Sequence, residues 1–275
     1  YVVATPIGNL RDITLRALDV LAGVDVIAAE DTRTTRRLLE AHAIHARLVA
    51  LHEHNERAAT EKILFLLAAG KSVALVSDAG TPGISDPGAI AIARARKEGF
   101  RVVPIPGPNA AICALSAAGT SALRFLFHGF LPAKAGQRRR ELEELKNLSS
   151  VLVFYEAPHR VVECVEDLAA VLGARRMITI AREITKLFEE IHTCTLGEAG
   201  KWLAEDANRR RGEFVLVVAE PEPVVSNLSD AGRRAVQVLA SELPLKRAAE
   251  LAAALTGESK KALYAHGLSL KRKED

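Results

Sequence analysis

Ser77-Asp-Ala-Gly-Thr-Pro-Gly-Ile-Ser-Asp-Pro-Gly88 is the stretch around which the first half of the chain is organised. It follows the β-rich run Ser72–Val76 and leads into a helical pattern at Pro87–Lys97. Its twelve residues include three glycines, two prolines and two aspartates. A loop of this composition lets backbone groups approach a ligand closely, at a cost in conformational entropy. We therefore expect a functional site where this strand ends.

Short β-rich runs alternate with helical patterns through the first 120 residues, which predicts a mainly parallel sheet with helices on its faces. The predicted strands are Val2–Ala4, Val24–Ala28, Leu48–Leu51, Ser72–Val76 and Arg101–Ile105. The predicted helices between them are Leu15–Leu21, Thr32–Ala41, Glu56–Ala69 and Pro87–Lys97.

The rest of the chain predicts two further domains, so we place domains at 1–120, 121–222 and 223–275. In the second, more β content and fewer crossovers favour a mixed sheet, with strands at Phe125–Phe130, Val151–Tyr155, Ile178–Ala181, Leu187–Thr193 and Phe214–Val218. Glu220-Pro-Glu-Pro-Val224 resembles a linker. Three short helical patterns follow, Asp230–Ser241, Leu245–Leu255 and Ser259–His266, which fit a helix-turn-helix module or a plain helical cap equally well.

Composition fits a cytoplasmic protein without a membrane anchor. The chain has no apolar run long enough to span a bilayer, and its three cysteines show neither a zinc spacing nor a disulfide framework. The net charge is +3. The excess lies in the last fifty residues, with nine Lys/Arg against six Asp/Glu, where a nucleic-acid contact could lie.

Two more loops rich in glycine and proline follow predicted strands, Thr5-Pro-Ile-Gly-Asn9 and Pro104-Ile-Pro-Gly-Pro-Asn109. In an open parallel sheet such loops converge at one edge and bind ligands there. The usual dinucleotide motif is missing, and Gly70-Lys71-Ser72 lacks the earlier glycine of a phosphate-binding loop. The His52-Glu-His54 run lacks further metal ligands at sensible spacing, so we expect no metal.

Eight runs of residues, in order along the chain, resemble the small-subunit ribosomal RNA methyltransferases of the tetrapyrrole methylase superfamily. They are Ala4-Thr-Pro-Ile-Gly-Asn-Leu10, Ala29-Glu-Asp-Thr-Arg33, His52-Glu-His-Asn-Glu56, the Ser77–Gly88 loop, Pro106-Gly-Pro-Asn109, Phe154-Tyr-Glu-Ala-Pro-His-Arg160, Arg182-Glu-Ile-Thr-Lys186 and Gly212-Glu-Phe214. The resemblance covers Tyr1 to about Val218. The segment Ser226–Asp275 resembles the small helical domain of the same family.

The resemblance implies two α/β domains with S-adenosylmethionine (SAM) in the cleft between them, and a small C-terminal helical domain. It implies methylation of the ribose 2′-hydroxyl of a cytidine in the decoding region of 16S rRNA, on the small ribosomal subunit, by a homodimer. The cofactor contacts that it implies are Pro6, Ile7, Asp78, Thr81, Ala111, Ile112, Tyr155, Ala181 and Arg182.

The acceptor hydroxyl is a very weak acid, so a base or a charge-stabilising group would help the transfer. Four charged residues in polar clusters just past predicted strands are candidates: Glu30, Asp31, Glu53 and Lys186. A structural ion pair is the other reading of all four. Our hypothesis is that Asp31 acts directly, because Glu-Asp-Thr-Arg runs from an apolar strand straight into a helix.

Phosphate contacts dominate the affinity of proteins for RNA. Three basic clusters are candidates, of which we favour the first because it follows the loop Gly129-Phe-Leu-Pro132: Lys134, Arg138, Arg139 and Arg140; Arg209, Arg210 and Arg211; and Lys260, Lys261 and the tail Lys271-Arg272-Lys273. Two other functions remain open, a non-catalytic SAM- and RNA-binding ribosome-assembly factor and a small-molecule methylase of the tetrapyrrole kind.

Overall fold

The computed structural model describes residues 1–120, 124–221 and 228–271. The chain forms two compact units, Tyr1–Glu220 and Pro221–Asp275. Residues 222–224 of the expected linker lie outside the described residues, as do Arg272 and Lys273 of the basic tail and the expected domain boundaries at 121 and 222.

The first sheet of the larger unit is parallel throughout. Its described strands are β1 (Val2–Val3), β2 (Val26–Ala29), β3 (Leu48–Ala50), β4 (Val73–Val76) and β5 (Pro104–Ile105), arranged in the order β3-β2-β4-β1-β5. The helices are α1 (Leu15–Gly23), α2 (Thr32–Ala41), α3 (Glu56–Ala68), α4 (Ala89–Lys97) and α5 (Ala110–Ala117). The α/β class with a parallel first sheet is confirmed.

Local sequence explains where several of these helices begin. Thr14 precedes α1 and accepts the Ala17 N–H at 3.1 Å, and Asn109 precedes α5 and accepts the Ile112 N–H at 3.1 Å. Both side chains satisfy amides that the helix leaves unpaired. Since these caps directly follow the strand-end loops, they fix where each loop stops.

The second sheet is mixed, as predicted. Its described strands are β6 (Phe125–Phe130), β7 (Val151–Glu156), β8 (Met177–Arg182), β9 (Glu190–Thr195) and β10 (Phe214–Val218). They lie in the order β6-β7-β10-β8-β9, with β6 and β7 parallel and the other pairs antiparallel. The helices are α6 (Ala135–Leu145), α7 (Val161–Leu172) and α8 (Leu196–Glu205).

Each sheet has its own hydrophobic core, and a further cluster joins the two. Ile27 and Val76 lie in the core of the first sheet, and Phe154 and Leu216 in the core of the second. The joining cluster packs Ala111 and Ala114 of α5 against residues of the second sheet, among them Val153 and Val215. Helix α5 therefore fixes one sheet against the other within the larger unit.

The smaller unit consists of α9 (Asp230–Glu242), α10 (Leu245–Thr256) and α11 (Lys260–Lys271), close to the three predicted helices. Val236, Leu245 and Leu263, one from each helix, meet in its core. Gly257 ends α10 in the left-handed conformation at φ 72°, which glycine adopts without strain.

The main difference from the predicted elements lies before β9. The sequence predicts a strand from Leu187, but β9 begins at Glu190. Residues 183–189 instead form a tight turn, closed by hydrogen bonds from Lys186 N to Glu183 O at 3.0 Å and from Glu189 N to Lys186 O at 3.2 Å. These local bonds take the place of pairing with β8.

No helix in the described parts of the chain has both the length and the apolar character needed to cross a bilayer.

Candidate active site

A cavity of about 400 Å³ lies at the carboxyl edge of the first sheet, against the ends of β7 and β10. Residues that follow β1, β4 and β5 line one side of it, and residues from the second sheet line the other. The wall is largely apolar with a few polar groups, and includes Ile7, Thr81, Ile84, Asp86, Asn109, Phe130, Tyr155, Glu156, Ile184, Glu213 and Phe214. This is the size and character of a small-molecule site.

The loops after β1, β4 and β5 are hydrogen-bonded to one another. Thr5 and Gly80 exchange both backbone bonds, at 2.8 and 3.0 Å, and the Thr5 hydroxyl donates to Ser77 O at 3.0 Å. The Thr81 hydroxyl donates to Pro108 O at 3.1 Å. Gly80 has φ 82°, so glycine is required at this crossing. The predicted convergence of the three loops is confirmed.

A second, smaller cavity of about 180 Å³ lies beside the same loops. Pro6 and Asp78 line it, together with Gly8, Thr34 and Arg37. Their immediate neighbours Ile7 and Ala79 line the larger cavity. The two cavities are therefore separated by little more than the backbone of the β1 and β4 loops.

The residues expected to contact the cofactor divide into three groups. Ile7, Thr81 and Tyr155 line the larger cavity, and Pro6 and Asp78 line the smaller one. Ala111 is buried and donates its N–H to the Tyr155 hydroxyl at 3.2 Å, and Ile112 beside it is exposed. Ala181 and Arg182 are buried in β8 and line neither cavity.

Acidic groups cluster beside the larger cavity. Glu30 accepts the Asp78 N–H at 3.2 Å, and Asp78 accepts the Asp31 N–H at 2.9 Å. Burial raises the pKa of both Glu30 and Asp78. Burial, with the nearby Glu30 carboxylate, raises the pKa of Asp86 to about 6. The cluster suits a cationic ligand, which would offset its charge.

Asp31 is engaged with its own helix. It caps α2 by accepting the Arg33 N–H at 2.8 Å, and it forms an ion pair with the Arg33 guanidinium at 2.7 Å. That guanidinium and the backbone bond lower the pKa of Asp31. These contacts fit the structural alternative for Asp31, since a carboxylate stabilised in this way is a weak base.

The other two candidates lie in different places. Glu53 is exposed and lines a separate cavity with His54 and Arg57. Lys186 donates to Glu183 Oε1 at 2.9 Å and to Glu213 Oε2 at 2.8 Å, and Glu213 lines the larger cavity. The structure thus brings Lys186 to the cavity and leaves Glu53 in another group of residues.

Three cavity residues went unassigned in the sequence: Asp86, Asn109 and Glu213. Each lies in a run that was quoted for other reasons, namely the Ser77–Gly88 loop, Pro106–Asn109 and Gly212–Phe214. Ser85 has φ 64°, rare for a residue with a side chain. The second aspartate of the glycine-rich loop was the available signal for Asp86.

The favoured basic cluster is only partly free to bind phosphate. Arg138 is 1% exposed and its guanidinium pairs with buried Asp167 at 2.6 Å. Arg139 also pairs with Asp167 but lies at the surface, as do Lys134 and Arg140. We therefore leave Arg138 out of the RNA-contacting set, because a buried, paired guanidinium is not available to RNA.

In the second cluster, Arg209 pairs with Glu190 and Glu205 and lies over the Trp202 ring at 4.6 Å. Arg210 and Arg211 are exposed. In the third, Lys260 pairs with Glu250 at 2.6 Å and Lys261 is exposed. Among the residues that the structure describes, no group of three or more His, Cys, Asp or Glu side chains is placed to hold a metal ion.

Comparison with known proteins agrees with this geometry. Residues 1–200 match the family model of Tetrapyrrole (Corrin/Porphyrin) Methylases, and residues 226–271 match that of the RsmI C-terminal HTH domain. A protein from Escherichia coli O157:H7 named ribosomal RNA small subunit methyltransferase I is 51% identical, over 98% of this chain and 94% of its own. One of the same name from Vibrio cholerae is 49% identical, over 98% and 93%.

Solved structures share the fold at low identity. A cobalt precorrin-4 methyltransferase of cobalamin biosynthesis superposes with a TM-score of 0.60 at 15% identity, over 80% of this chain and 93% of that one. A uroporphyrin-III-C-methyltransferase from Thermus thermophilus gives 0.57 at 19% identity, over 79% and 92%. The arrangement of loops and cavity, the two family models and the near-full-length relatives agree, and the chain belongs to the ribosomal RNA small subunit methyltransferase I family of tetrapyrrole methylases.

Proposed function

We propose that this protein is an enzyme that transfers the methyl group of SAM to the ribose 2′-hydroxyl of a cytidine in the decoding region of 16S rRNA. The observation that carries the proposal is the 400 Å³ cavity between the three strand-end loops and the second sheet. Sequence relatives that are named as methyltransferases of small-subunit ribosomal RNA support the choice of substrate. We also propose that the enzyme works in the cytoplasm, as a homodimer.

The cavity fits SAM by its chemistry. Apolar walls from Ile7, Phe130 and Phe214 suit an adenine ring, and Asn109 and Thr81 offer polar groups for hydroxyls. SAM carries a sulfonium and an ammonium against one carboxylate. The acidic cluster of Asp86, Glu30 and Asp78 therefore favours a ligand of this net charge.

SAM, when bound, supplies an already activated methyl group, so the protein chiefly positions donor and acceptor. Tyr155 takes part by tying α5 to the second sheet through its bond from Ala111 N–H. Lys186 bridges the carboxylates of Glu183 and Glu213, which fixes the rim of the cavity. Burial lowers the pKa of Lys186, and these two carboxylates outweigh it, so the ammonium stays charged near the reacting oxygen.

For the remaining catalytic candidates, the contacts favour Glu30 over Asp31. Glu30 has its pKa raised by burial, whereas Asp31 has its pKa lowered by Arg33. We propose that Asp31 positions α2 and the Asp78 carboxylate, through its backbone N–H. Glu53 remains a prediction that no contact in the structure supports.

The proposal is tested by offering labelled SAM and small ribosomal subunits, from cells that lack this enzyme, to the purified protein. After nuclease digestion, label in a ribose-methylated cytidine supports both reaction and substrate. Label in a base, or in no nucleoside, contradicts it. SAM binding with subunit binding but without transfer would favour the non-catalytic assembly factor instead.

A further inference from the structure

The turn at residues 183–189 presents two large apolar side chains to solvent. Leu187 is 89% exposed and Phe188 is 68% exposed. Only 4% of the chain is aromatic, so few side chains offer a ring face for a base to stack on. Both residues were expected to pair within a strand, but they lie at the tip of a turn that precedes β9.

This turn is held in one conformation rather than left loose. Thr185 N donates to Glu189 Oε2 at 2.6 Å, in addition to the two backbone bonds that close the turn. Glu183 and Thr185 have φ 51° and 67°, a region that residues with side chains rarely adopt. Backbone strain of this kind persists where the surroundings fix it, often at functional sites. The exposed tip is therefore presented rigidly, at an energetic cost.

The base of the turn is part of the active site. Ile184 lines the larger cavity. Lys186 bonds to Glu213 of the same cavity, and its side chain packs so closely on Gly8 that a Cβ there would collide with it. Phe188 follows Lys186 by two residues, so it stands at the rim where an acceptor strand must pass.

The charges nearby favour nucleic acid over a protein surface. Arg210 and Arg211 are exposed and immediately precede Gly212 and Glu213. Arg211 O accepts a bond from Arg182 at the end of β8, which places this pair of arginines beside the start of the turn. Within the described residues neither guanidinium has a carboxylate partner at ion-pair distance. An exposed aromatic ring beside free arginines is the combination that binds single-stranded RNA.

We propose that Phe188 is a stacking platform for an unpaired base of the RNA strand that enters the active site, and that Arg210 and Arg211 contact the adjoining phosphates. This inference rests on the proposed RNA substrate and deepens it. It assigns recognition to an unstacked nucleotide at the rim and predicts that the enzyme requires single-stranded RNA at this position. The nearby Leu187 covers the edge of the stacked base.

The test compares the wild type with Phe188→Ala, Phe188→Trp and Phe188→Leu. Phe65→Ala is the matched control, because Phe65 is 75% exposed on α3 and lines neither cavity of the active site. The measurements are the dissociation constant for small ribosomal subunits lacking the modification, the KM for the same subunits, SAM affinity and sedimentation.

We expect Phe188→Ala to weaken subunit binding and raise KM by about 5- to 150-fold, the range for loss of one base stack. SAM affinity and sedimentation should stay unchanged. Tryptophan should restore binding, whereas leucine, which keeps apolar area without a ring, should not. Phe65→Ala should behave as the wild type.

Wild-type binding by Phe188→Ala, or full rescue by leucine, would overturn the stacking role. A change of Phe188→Ala from dimer to monomer would overturn it too, because the tip would then bind a second copy of the chain. Since binding is measured directly, these results stand apart from the proposed reaction. A wild type that binds subunits but transfers no methyl group contradicts the reaction alone, and one that binds no subunits overturns both.

Discussion

Asp86 offers a direct test of the electrostatics of the cavity. Burial, and then the Glu30 carboxylate, raises its pKa from 3.8 to about 6, although a bond from Ser77 partly opposes this. A folded pKa above the unfolded one means that the folded state holds the proton more tightly. Ionised Asp86 therefore destabilises the folded protein. This penalty is absent below about pH 4, grows between pH 4 and 6, and is complete above pH 6.

The size of the penalty follows from the shift. A change from 3.8 to about 6 corresponds to about 3 kcal/mol if the carboxyl were fully shielded from water. The cavity is open to solvent, so we reduce this to about 1.5 kcal/mol. Asp86→Asn removes the charge and should raise the free energy of unfolding by that amount at pH 7.5, with no gain at pH 4.

The assay is urea unfolding at pH 4, 5, 6, 7 and 8, followed by tryptophan fluorescence without ligand. The chain has a single tryptophan, Trp202, in the larger unit, so the signal reports unfolding of the unit that contains Asp86. The difference between variant and wild type should appear between pH 4 and 6 and then level off.

Asp25 supplies a control of opposite sign. The Ser72 N–H and the Lys71 ammonium hold its pKa well below the usual range. Asp25→Asn should therefore destabilise the protein at neutral pH, with the loss shrinking as pH falls below 4. If Asp86→Asn instead destabilised the protein at pH 7.5, or its effect did not vary with pH, the assignment of a raised pKa to Asp86 would be refuted.

Three further predictions follow from contacts elsewhere in the larger unit. Asp167→Ala strands buried Arg138 without its partner and should cost about 3–5 kcal/mol in urea unfolding, whereas Glu163→Ala, 72% exposed and 3.9 Å from the same guanidinium, should cost little. Asp31→Asn should retain SAM affinity and turnover within about threefold, since its carboxylate serves α2 and Arg33; a hundredfold loss of turnover alone would return Asp31 to direct catalysis. Replacing three surface cations by glutamine should flatten the slope of log affinity for small subunits against log salt by about 0.7–0.9 per lost phosphate contact, and an unchanged slope would remove this helix from the RNA surface; they are Lys134, Arg139 and Arg140.

The parallel first sheet and the converging loops follow from the sequence because their signals are local. Hydrophobic runs of four or five residues, such as Val73–Val76, end in glycine and proline, and the carboxyl ends of parallel strands share one edge. The turn before β9 could not be predicted in this way. Leu187 and Phe188 look like strand residues, and only the bonds of residues 183–189 keep them out of the sheet.

The environments of single charged groups depend on contacts between distant parts of the chain. Asp86 acquires its raised pKa from Glu30 and Asp78, which reach it through β2 and β4. Lys186 meets Glu213 across 27 residues of sequence. The burial of Arg138 left a local trace, however, since it shares a helix face with fully buried Leu142, four residues on.

The division of labour between cores and loops has a consequence for how such proteins evolve. Each sheet packs its own interior, while the cavity is walled mostly by residues that follow the strands. Mutations in those loops can change the acceptor while leaving both interiors intact. Descendants of one ancestor could therefore come to modify a macrocycle or a nucleic acid without passing through an unfolded lineage, and identity could fall to 15% while the outline of the fold survived.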